Sequence, residues 1–542
     1  MPRNYEVKFS ETFKLPNPGL KSYFDIVVKG QPDEYRTTFA KGDSVAKVLE
    51  DWEPFVESLR DKWPSLVEFE NDLRSKVGPM SIMKPLSDRM SDIDHYYDDI
   101  LLSSEPISDS AIKAVIKEFS KVKGLNPRSQ QKTVDLMKKS TNSGAPYFTK
   151  RKNVVSKTMY CWTHPTINEL VQEMNLNASN MEEAIHLAGV LWNAAAVLGW
   201  RGQEGGPKPD DVKQRVVWMF PFSVNINELQ VYQPLIESCQ KFNLVPAWVS
   251  MESVDFRITQ MFNSKSSDDL VICTDFSKFD QHFNSDMQDA AKCILKSLLN
   301  GAPLSQNWIE NIFPIKYNIP LAYEFGKIRT GHHGMGSGSG GTNADETLVH
   351  RALQYEAALD ASTKLNPFSQ CLGDDGVLTY PGITVDQVVE TYSRHGQEMN
   401  TSKQYASKQD CVYLRRWHHD HYRQQGICVG VYSTYRALGR LMEQERYYDP
   451  DVWSAKMVAL RQLSIIENVK YHPLRDQFAE FCMKRDKYRL GIDIPGFLDD
   501  IDRIANEAID LMPDFLGYTK SMTKDQTGLS SWWIVNYLKS KR

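Results

Sequence analysis

The sequence of 542 residues has little of what marks secreted, disulfide-stapled or membrane-spanning proteins. It has eight cysteines and no CxxC pair, so we expect reduced, buried thiols in a cytosol-like compartment. No apolar signal segment opens the sequence. The longest apolar stretch, residues 184–200, contains His186 and Asn193 and opens with a capping-box arrangement, which predicts a buried helix of a water-soluble protein rather than a membrane span.

Two further absences reduce the number of functions that the sequence could have. The net charge is -5 and the pI is about 6.2, so any binding of nucleic acid must come from local basic patches. No GxxxxGK[ST] occurs, which leaves P-loop chemistry unsupported. The glycine run 336–341 contains GxGxxG, but it lies mid-chain after Arg329-Thr-Gly-His-His-Gly334 and not after the first strand of a βαβ unit, which disfavours a dinucleotide site.

Acidic residues stand where apolar runs end. The run 270–274 is short, apolar and partly β-branched, which predicts a buried strand that leads to Asp275, with Asp280 five residues later. Apolar residues also flank Gly373-Asp374-Asp375-Gly376, where the Asp-Gly pair 375–376 predicts a hairpin turn with two carboxylates at its tip. Crowded carboxylates repel and raise each other's pKa, so a divalent cation is expected. Hard oxygen ligands indicate Mg²⁺, with Mn²⁺ as the alternative.

The pattern of predicted helices, strands and loops changes twice along the sequence. Up to about residue 225, short helical patterns alternate with loops rich in Lys, Ser, Asn and Gly. From about 226 to 430, apolar strands alternate with helices such as 343–361. Beyond 430 the pattern is helical: one helix is predicted to begin at Asp449-Pro450, and two more amphipathic segments follow it. We therefore expect a C-terminal helical lobe.

Several spaced motifs together resemble a known family. Asp275-x-x-x-x-Asp280, Ser337-Gly338-x-x-Gly341-Thr342 and Gly373-Asp374-Asp375 are similar to motifs A, B and C of viral RNA-dependent RNA polymerases, in the same order. Further candidates lie between about residues 140 and 416. They are Ser143-Gly144-Ala145-Pro146 for motif G, Lys213-x-Arg215 for motif F, Lys403 for motif D and Tyr413-Leu-Arg-Arg416 for motif E. Within the family, the sequence as a whole most resembles polymerases of picobirnaviruses, which have segmented double-stranded RNA genomes.

The resemblance implies an α+β fold of the right-hand polymerase type, with fingers, an antiparallel-sheet palm and a helical thumb. We expect residues 1–225 to form most of the fingers with an N-terminal extension. Residues 226–430 would form the palm, with a fingers insertion at about 285–330, and residues 431–542 the thumb and a C-terminal tail. The tail is rich in aromatic residues at 531–537. These either enter the catalytic cleft and support initiation or dock against the thumb.

The implied reaction is template-directed transfer of a nucleotide from an NTP to an RNA 3′-hydroxyl. Asp275 and Asp374 would hold two metal ions. Asp375 would be an auxiliary ligand, because adjacent residues at a hairpin tip point in different directions. Lys403 is the implied general acid for pyrophosphate departure, and Lys408 is its rival for that role.

Residues of the other motifs are implied in binding the triphosphate and the RNA. Lys213 and Arg215 alternate on a predicted strand, share one face and would bind the triphosphate, with Arg offering a bidentate fork. The residues implied in contacts with template and product RNA are Ser143, Gly144, Pro146, Arg415 and Arg416.

Selection of ribose requires groups that recognise the 2′-hydroxyl, which is both donor and acceptor. Asp280 is the implied sensor. Many relatives carry Asn four residues after the motif B threonine, where this sequence has Glu346. The partner of Asp280 is therefore left open, with Asn343 and Asp345 as nearby substitutes. The loop residues implied in nucleotide binding are Ser337, Gly338, Thr342 and Asn343.

The implied partners are template and product RNA, NTPs and the viral capsid protein, for a monomeric enzyme of the virion interior and host cytoplasm that contacts no membrane. Two other classes of protein are compatible with parts of this sequence. One is a nucleotide-binding oxidoreductase built on the glycine run, which would bind a dinucleotide without Asp374. The other is a structural RNA-binding protein with inert acidic turns, which would bind RNA equally well after Asp275 or Asp374 is replaced by Asn.

Overall fold

The computed structural model describes residues 3–6, 20–159, 195–325, 327–511 and 528–542. The predicted helix at 184–200 lies mostly outside these ranges, and its described end forms a strand instead, because Ala196 and Val197 pair with neighbouring strands. The strands are β1 (Arg3–Glu6), β2 (Ala196–Gln203), β3 (Lys213–Met219), β4 (Val271–Thr274), β5 (Leu321–Glu324), β6 (Lys327–Thr330), β7 (Gln370–Leu372), β8 (Asp375–Leu378), β9 (Tyr405–Ser407), β10 (Asp410–Tyr413), β11 (Arg416–His419) and β12 (Val431–Tyr432).

Helices make up most of the remaining described chain. Many begin behind a side chain that accepts an N–H of the first turn, as Ser44, Ser250 and Ser454 do. The α-helices are Leu20–Lys29, Val45–Glu57, Pro64–Arg74, Leu86–Asp98, Asp109–Glu118, Gln130–Leu136, Val155–Thr158, Phe222–Lys241, Met251–Ser264, Ser285–Leu298, Pro303–Asn307, Ile315–Asn318, Thr342–Asp360, Val385–Arg394, Thr434–Met442, Ala455–Glu467, Arg475–Arg485, Ile501–Leu511 and Trp533–Lys541. None of these helices is long and apolar enough to cross a membrane.

The sheet that carries the acidic residues has four strands in the order β7-β8-β4-β9, and all its neighbours are antiparallel. Strand β4 is buried along its whole length, which confirms the strand predicted for 270–274. The helix Thr342–Asp360 packs beside this sheet and is buried on nearly all sides. It matches the predicted helix 343–361 to within one residue at each end.

A second sheet joins distant parts of the chain. Its order is β1-β6-β5-β2-β3, and its neighbours are antiparallel except for the parallel pair β2 and β5. Strands β5 and β6, at the end of the predicted insertion, therefore lie in the same layer as β2 and β3. Strand β3 forms an edge of this sheet, and that edge matters for the site described below.

Residues 434–511 and 528–542 form the C-terminal lobe, which is helical as predicted. The predicted start of its second helix at Asp449-Pro450 is wrong. Asp449 uses its carboxylate in a tight turn, where Oδ1 accepts the N–H of Asp451 at 3.0 Å. The helix begins later, at Ala455, because the side chain of Ser454 caps its first turn.

The aromatic tail docks on the C-terminal lobe. Ile534, Val535 and Leu538 are fully buried in the core of the lobe. The Glu467 carboxylate accepts the N–H groups of Trp533 at 3.1 Å and of Ile534 at 2.9 Å, which satisfies two donors at the start of the last helix. Of the two placements considered for 531–537, docking against the helical lobe is the one found.

Candidate active site

Asp275 directly follows the buried strand β4 and is held there through its backbone. Its N–H donates to Gln404 Oε1 at 2.8 Å, and Gln404 Nε2 donates to its carbonyl oxygen at 2.9 Å. The Asp275 side chain is exposed. The residue is therefore fixed at the end of the strand, with its carboxylate open to solvent. No sequence motif had pointed to Gln404.

Gly373 and Asp374 form the turn between β7 and β8. The predicted turn pair, Asp375-Gly376, opens strand β8 instead, so that prediction is wrong by two residues. The reason is that Gly373 and Gly376 are needed for different reasons, one for its backbone conformation and the other for close packing. Gly373 has a φ of 57°, a left-handed conformation that glycine adopts without steric cost. Gly376 lies against the helix, where an added Cβ would be 2.6 Å from the His350 ring.

The helix Thr342–Asp360 holds the turn at Gly373 and Asp374 in place through two hydrogen bonds. The Gly373 N–H donates to Thr347 Oγ1 at 2.9 Å, and the Gly373 carbonyl accepts from His350 Nδ1 at 2.8 Å. Burial lowers the pKa of His350 to about 4, so the ring is neutral and its proton lies on Nδ1. Both backbone polar groups of Gly373 are thereby satisfied by side chains of one helix.

Asp374 is surrounded by charged residues from two other motifs. Its side chain is exposed, but it lies deep enough in the cleft for the loss of bulk water to raise its pKa. Asp280 raises that pKa further and Asp275 adds to the effect, whereas Arg215 acts in the opposite direction. The structure thus brings Asp275, Asp280, Asp374 and Arg215 together, as the motif order predicted.

Asp375 has a different environment from its neighbour Asp374. Its Oδ2 accepts the Leu414 N–H at 2.9 Å. Burial, and then the charge of Asp374, raise the pKa of Asp375 to about 7. Leu414 and Arg415 have φ angles of 53° and 57°, which are strained for residues with a Cβ. The hydrogen bond from Leu414 to Asp375 supports this turn between β10 and β11.

Asp280 meets Glu346 beyond the bend that follows β4. The carbonyl of Asp280 accepts the Met335 N–H at 2.9 Å, which fixes the backbone. The carboxyl groups of Asp280 and Glu346 lie within hydrogen-bonding reach of each other. Burial, and then Asp280, raise the pKa of Glu346 well above its ordinary value.

The substitutes considered for this position have other partners. Asn343 Oδ1 accepts from Trp248 Nε1 at 2.8 Å. Asp345 is fully buried, forms an ion pair with Lys316 at 3.0 Å, and accepts hydrogen bonds from the hydroxyls of Tyr232 at 2.6 Å and Tyr317 at 2.7 Å. Asp345 therefore stabilises the core of the fold.

The glycine run lies against strand β3. A Cβ on Gly338 would be 1.6 Å from the Trp218 carbonyl oxygen, so only glycine allows this approach. Ser337 Oγ accepts the Trp218 N–H at 3.1 Å, and Thr342 Oγ1 donates to the Gly336 carbonyl at 3.0 Å. Ser337 and Gly338 thus hold the loop to the strand that carries the basic residues, and Thr342 closes the loop on itself.

Lys213 and Arg215 are exposed on one face of β3, as their spacing predicted. The pKa of Lys213 is lowered because the surrounding protein removes part of its bulk water, and then by the positive charges of Arg215, Lys76 and Arg415. Lys76 follows the helix Pro64–Arg74, and no motif had indicated it. We call Lys76, Lys213, Arg215 and Arg415 the basic group. An anion bound beside these side chains would offset their mutual repulsion.

The motif G loop is tightly built. Ser143 is buried, its Oγ accepts the Thr149 N–H at 3.2 Å, and its carbonyl accepts the Phe222 N–H at 2.8 Å. Gly144 has a φ of 61°, and a Cβ there would lie 2.5 Å from the Phe220 carbonyl oxygen. Pro146 follows a cis peptide bond and is half-buried.

Arg416 does not fit the predicted role in RNA binding. Its guanidinium is buried and forms two hydrogen bonds with the Asp255 carboxylate, at 2.7 and 3.0 Å. Breaking such a buried pair would leave a charge uncompensated. Arg415, the preceding residue, is exposed and forms an ion pair with Glu204 at 3.6 Å. Position alone could not distinguish the two arginines, because burial depends on the partner strands.

Lys403 and Lys408 lie at different ends of the acidic sheet. Lys403 directly precedes Gln404, which is bonded to the backbone of Asp275. Lys408 follows β9, whose last residue pairs with Val271 at the opposite end of β4. Strand geometry separates these two ends by roughly 13 Å. Lys403 is thus the lysine on the side of the acidic residues.

The donor set at this site suits a magnesium ion. Among the residues that the structure describes, no three His, Cys, Asp or Glu side chains form a ready-made metal site. Mg²⁺ commonly binds one or two protein carboxylates and takes its other ligands from water and substrate phosphates. Asp275 and Asp374 offer such hard oxygen donors. The pKa of Asp374 is raised by the loss of bulk water first and then by the negative charge of Asp280, and a bound cation would offset that charge.

Comparisons with known proteins agree with this arrangement. The family described as viral RNA-dependent RNA polymerase matches residues 81–434. The potential RNA-dependent RNA polymerase of Human picobirnavirus (strain Human/Thailand/Hy005102/-) is 61% identical over 541 residues, which cover 98% of this chain and 99% of that relative.

Two solved structures are also similar over nearly the whole chain. The crystal structure of the RNA-dependent RNA polymerase of a human picobirnavirus has a TM-score of 0.88 and 59% identity, and an insertion-loop deletion mutant of such an enzyme has 0.86 and 57%. Each comparison covers 98% of both chains. The chain therefore belongs to the viral RNA-dependent RNA polymerases and is an RNA-directed RNA polymerase with the right-hand fold.

Proposed function

We propose that the enzyme catalyses two-metal nucleotidyl transfer from NTPs to an RNA 3′-hydroxyl, and that it replicates and transcribes a segmented double-stranded RNA genome. The observation that carries the mechanism is the convergence of Asp275, Asp280 and Arg215 around Asp374. Carboxylates that face cations across one cleft can hold metal ions on one side of a polyphosphate and neutralise its charge on the other.

Asp275 and Asp374 are the residues that would hold Mg²⁺, or Mn²⁺ in its place. When bound, the two ions would stabilise the attacking and leaving oxygens of the in-line displacement. Asp375 acts on the site indirectly in this proposal, because its carboxylate supports the hairpin turn at Leu414. It would be an outer ligand at most.

The basic group would bind the triphosphate. Lys213 and Arg215 project from the same face of β3, and their positive charge would orient the polyphosphate so that the α-phosphate lies near Asp275 and Asp374. Lys403 would protonate the departing pyrophosphate. The loop of Ser337, Gly338 and Thr342 would position β3 relative to Asp280, with Asn343 at its end.

We assign the RNA path to the surfaces that flank this cleft. Ser143, Gly144 and Pro146 would shape the wall that guides the template, and Arg415 would contact RNA phosphate. We assign residues 1–225 and about 285–330 to the fingers, 226–430 to the palm and 431–542 to the thumb and tail. The partners would be template and product RNA, NTPs and capsid protein, for a monomer of the virion interior and host cytoplasm.

Replacement of Asp374 tests the proposal most directly. We expect Asp374→Asn to lower metal-dependent incorporation of ribonucleotides on an RNA template by several orders of magnitude, because the variant loses a charged metal ligand. Asp386→Asn, at an exposed position on the helix Val385–Arg394, serves as the matched control and should leave the rate unchanged. Full activity of Asp374→Asn with Mg²⁺ would refute the proposal.

A further inference from the structure

Lys278 lies in the bend after β4, three residues after Asp275 and two residues before Asp280. It is exposed and has a φ of 57°, a left-handed conformation that is strained for a residue with a Cβ. Its ammonium group has a partner, because Nζ lies 3.0 Å from Nε2 of His95. His95 belongs to the helix Leu86–Asp98. This contact therefore joins the bend to a helix from the N-terminal part of the chain.

A chain of polar contacts continues from His95 back to the same bend. His95 Nδ1 lies 3.4 Å from Asp99 Oδ1, and Asp99 Oδ2 lies 2.8 Å from His282 Nε2. The other ring nitrogen of His282 lies 3.1 Å from the carbonyl oxygen of Ser277, the residue before Lys278. Asp99 and His282 are both buried. The contacts thus form a closed ring that begins and ends on neighbouring residues of the bend. We call Lys278, His95, Asp99 and His282 the bend cluster.

The donors and acceptors of the bend cluster fit one arrangement of protons. The ammonium group of Lys278 can only donate, so the facing Nε2 of His95 must accept and carries no proton. The proton of this neutral ring then lies on Nδ1, which faces the carboxylate of Asp99. Both ring nitrogens of His282 face acceptors, a carboxylate and a carbonyl, so each of them is placed to donate.

A proton added to His95 would break this arrangement at one point. Nε2 would become a donor and would face a second donor, the Lys278 ammonium, at 3.0 Å. Two positive charges at that separation repel each other. Among the residues that the structure describes, the charged groups in contact with His95 are Lys278 on the bend and Asp99 one turn later on the chain, with His282 behind Asp99. Histidine is the side chain whose charge ordinarily changes between pH 5 and pH 8, so the contact between bend and helix depends on pH.

We infer that Lys278 is a positioning residue for the nucleotide site, and that the neutral ring of His95 holds it in place. The inference rests on the proposed function of Asp275, which lies at the start of the bend. On its other side the bend is attached through the Ser277 N–H, which donates to the Glu398 carbonyl at 3.1 Å. Protonation of His95 releases Lys278 and leaves the bend with less support. Reactions that depend on exact placement of groups are slowed by small displacements of this kind.

Two substitutions of His95 separate the hydrogen bond from the proton. A glutamine offers an acceptor to Lys278 and a donor to Asp99, but it does not gain a proton near neutral pH. His95→Gln should therefore match the wild type at pH 8 and surpass it at pH 6. Between these pH values we expect kcat/KM for an NTP to fall roughly three- to tenfold more in the wild type than in His95→Gln, the range for one lost hydrogen bond. His95→Leu should show that loss already at pH 8.

The experiment is single-nucleotide extension of an RNA primer–template with Mg²⁺, measured for each protein from pH 6 to pH 8. His421→Gln, which removes an exposed histidine elsewhere in the chain, is the matched control and should keep the wild-type pH profile. Groups that titrate in the same range in every variant cancel in the ratio of variant to wild type. Thermal unfolding at both ends of the pH range checks the fold.

A double-mutant cycle tests whether His95 acts through Lys278. Lys278→Met removes the ammonium group and keeps most of the side-chain length, so it should lower kcat/KM at pH 8 about as much as His95→Leu. The two changes together should cost little more than either alone, because both remove one contact.

The inference is overturned if the wild type and His95→Gln have parallel pH profiles, or if Lys278→Met is as active as the wild type at pH 8. Failure of the wild-type enzyme to extend the primer at any pH would instead count against the proposed function.

Discussion

At the scale of single residues, the adjacent carboxylates of Asp374, in the turn, and Asp375, at the start of β8, have unlike surroundings. Asp374 is exposed beside the charges of Asp275, Asp280 and Arg215. Asp375 instead accepts a hydrogen bond from Leu414, which is 39 residues away in the sequence. Alternation along a strand predicts that the two side chains diverge. It does not reveal what each side chain meets, because those partners come from other elements.

The positions of Lys403 and Lys408 lead to a prediction about the general acid. We expect Lys403→Leu to slow nucleotide addition by roughly a hundredfold, within the range for loss of an acid that protonates the leaving group. Lys408→Leu should stay near the wild-type rate, because that residue lies at the far end of β4. Rapid-quench incorporation of one nucleotide at saturating NTP measures both rates.

A third variant separates charge from proton transfer at this position. Lys403→Arg keeps the positive charge, but a guanidinium does not give up its proton in proteins. It should therefore fail to restore the rate lost in Lys403→Leu. Recovery to the wild-type rate in Lys403→Arg would mean that only the charge matters, and a larger loss in Lys408→Leu would reverse the assignment.

At the scale of elements, the glycine run indicates a segment that packs closely against another part of the protein, but the sequence pattern does not identify that part. The resemblance implies nucleotide binding by its residues Ser337, Gly338 and Thr342. The close approach observed is to strand β3, through Gly338 and the Trp218 carbonyl, and Ser337 bonds the same strand. The backbone of β3 reaches this loop from more than a hundred residues earlier, so the sequence pattern could not identify it.

The last helix, Trp533–Lys541, leads to a prediction about stability. Leu538 is fully buried against the C-terminal lobe. Leu538→Ala should lower the free energy of unfolding of the lobe by about 3 kcal/mol, through lost apolar burial and the cavity that remains. Hydrogen exchange should rise in this helix and in its neighbour Ala455–Glu467, and mass spectrometry can follow both.

Asn536→Ala is the control for that experiment, because Asn536 is exposed on the same helix. It should change neither exchange nor the unfolding midpoint appreciably. Equal protection in Leu538→Ala and wild type would contradict the docked position of the helix. Because of the same contacts, deletion of the whole tail would expose the core of the lobe. A change in initiation after such a deletion would therefore not show that the tail acts in initiation.

At the scale of the whole molecule, the N-terminal residues and the C-terminal lobe share one hydrophobic core. Trp52 and Val48 pack with Leu438 and Leu460. The fully buried Glu70 carboxylate accepts the N–H of Thr434 at 2.9 Å and also accepts from its hydroxyl. A carboxylate from the N-terminal part of the chain thereby caps the first helix of the C-terminal lobe and links these two parts of the molecule.

Glu70 makes this link sensitive to pH. Burial raises its pKa from 4.5 to about 7 in the folded protein. The folded state therefore holds a proton that the unfolded state has lost between these values, and its contribution to stability is complete below pH 4.5 and lost as pH rises through about 7. The difference corresponds to roughly 3 kcal/mol. Glu70→Gln, which stays neutral, should lose less stability than wild type between pH 5 and pH 8.

Thermal unfolding midpoints at pH 5 and pH 8 test this expectation. The drop in midpoint from pH 5 to pH 8 should be smaller in Glu70→Gln than in wild type. Glu50→Gln, at an exposed position on the helix Val45–Glu57, should reproduce the wild-type drop. Identical drops in all three proteins would show that Glu70 does not titrate differently in the folded and unfolded states.

The sequence by itself determined the elements and the order of the motifs. Alternation and apolar runs located β4 and the helix Thr342–Asp360, because burial leaves a periodic trace in one segment. The spaced acidic residues determined the polymerase family and the candidates Asp275 and Asp374. These inferences needed only local chemistry and order along the chain.

The tertiary structure decided which side chains meet. It buried Arg416 against Asp255, distinguished Lys403 from Lys408 by strand register, and added Lys76 to the basic group. It also placed Glu346 beside Asp280. The physical reason is that burial and pairing depend on residues that are far apart in the sequence but close in space. The sequence alone does not show which distant residues become neighbours.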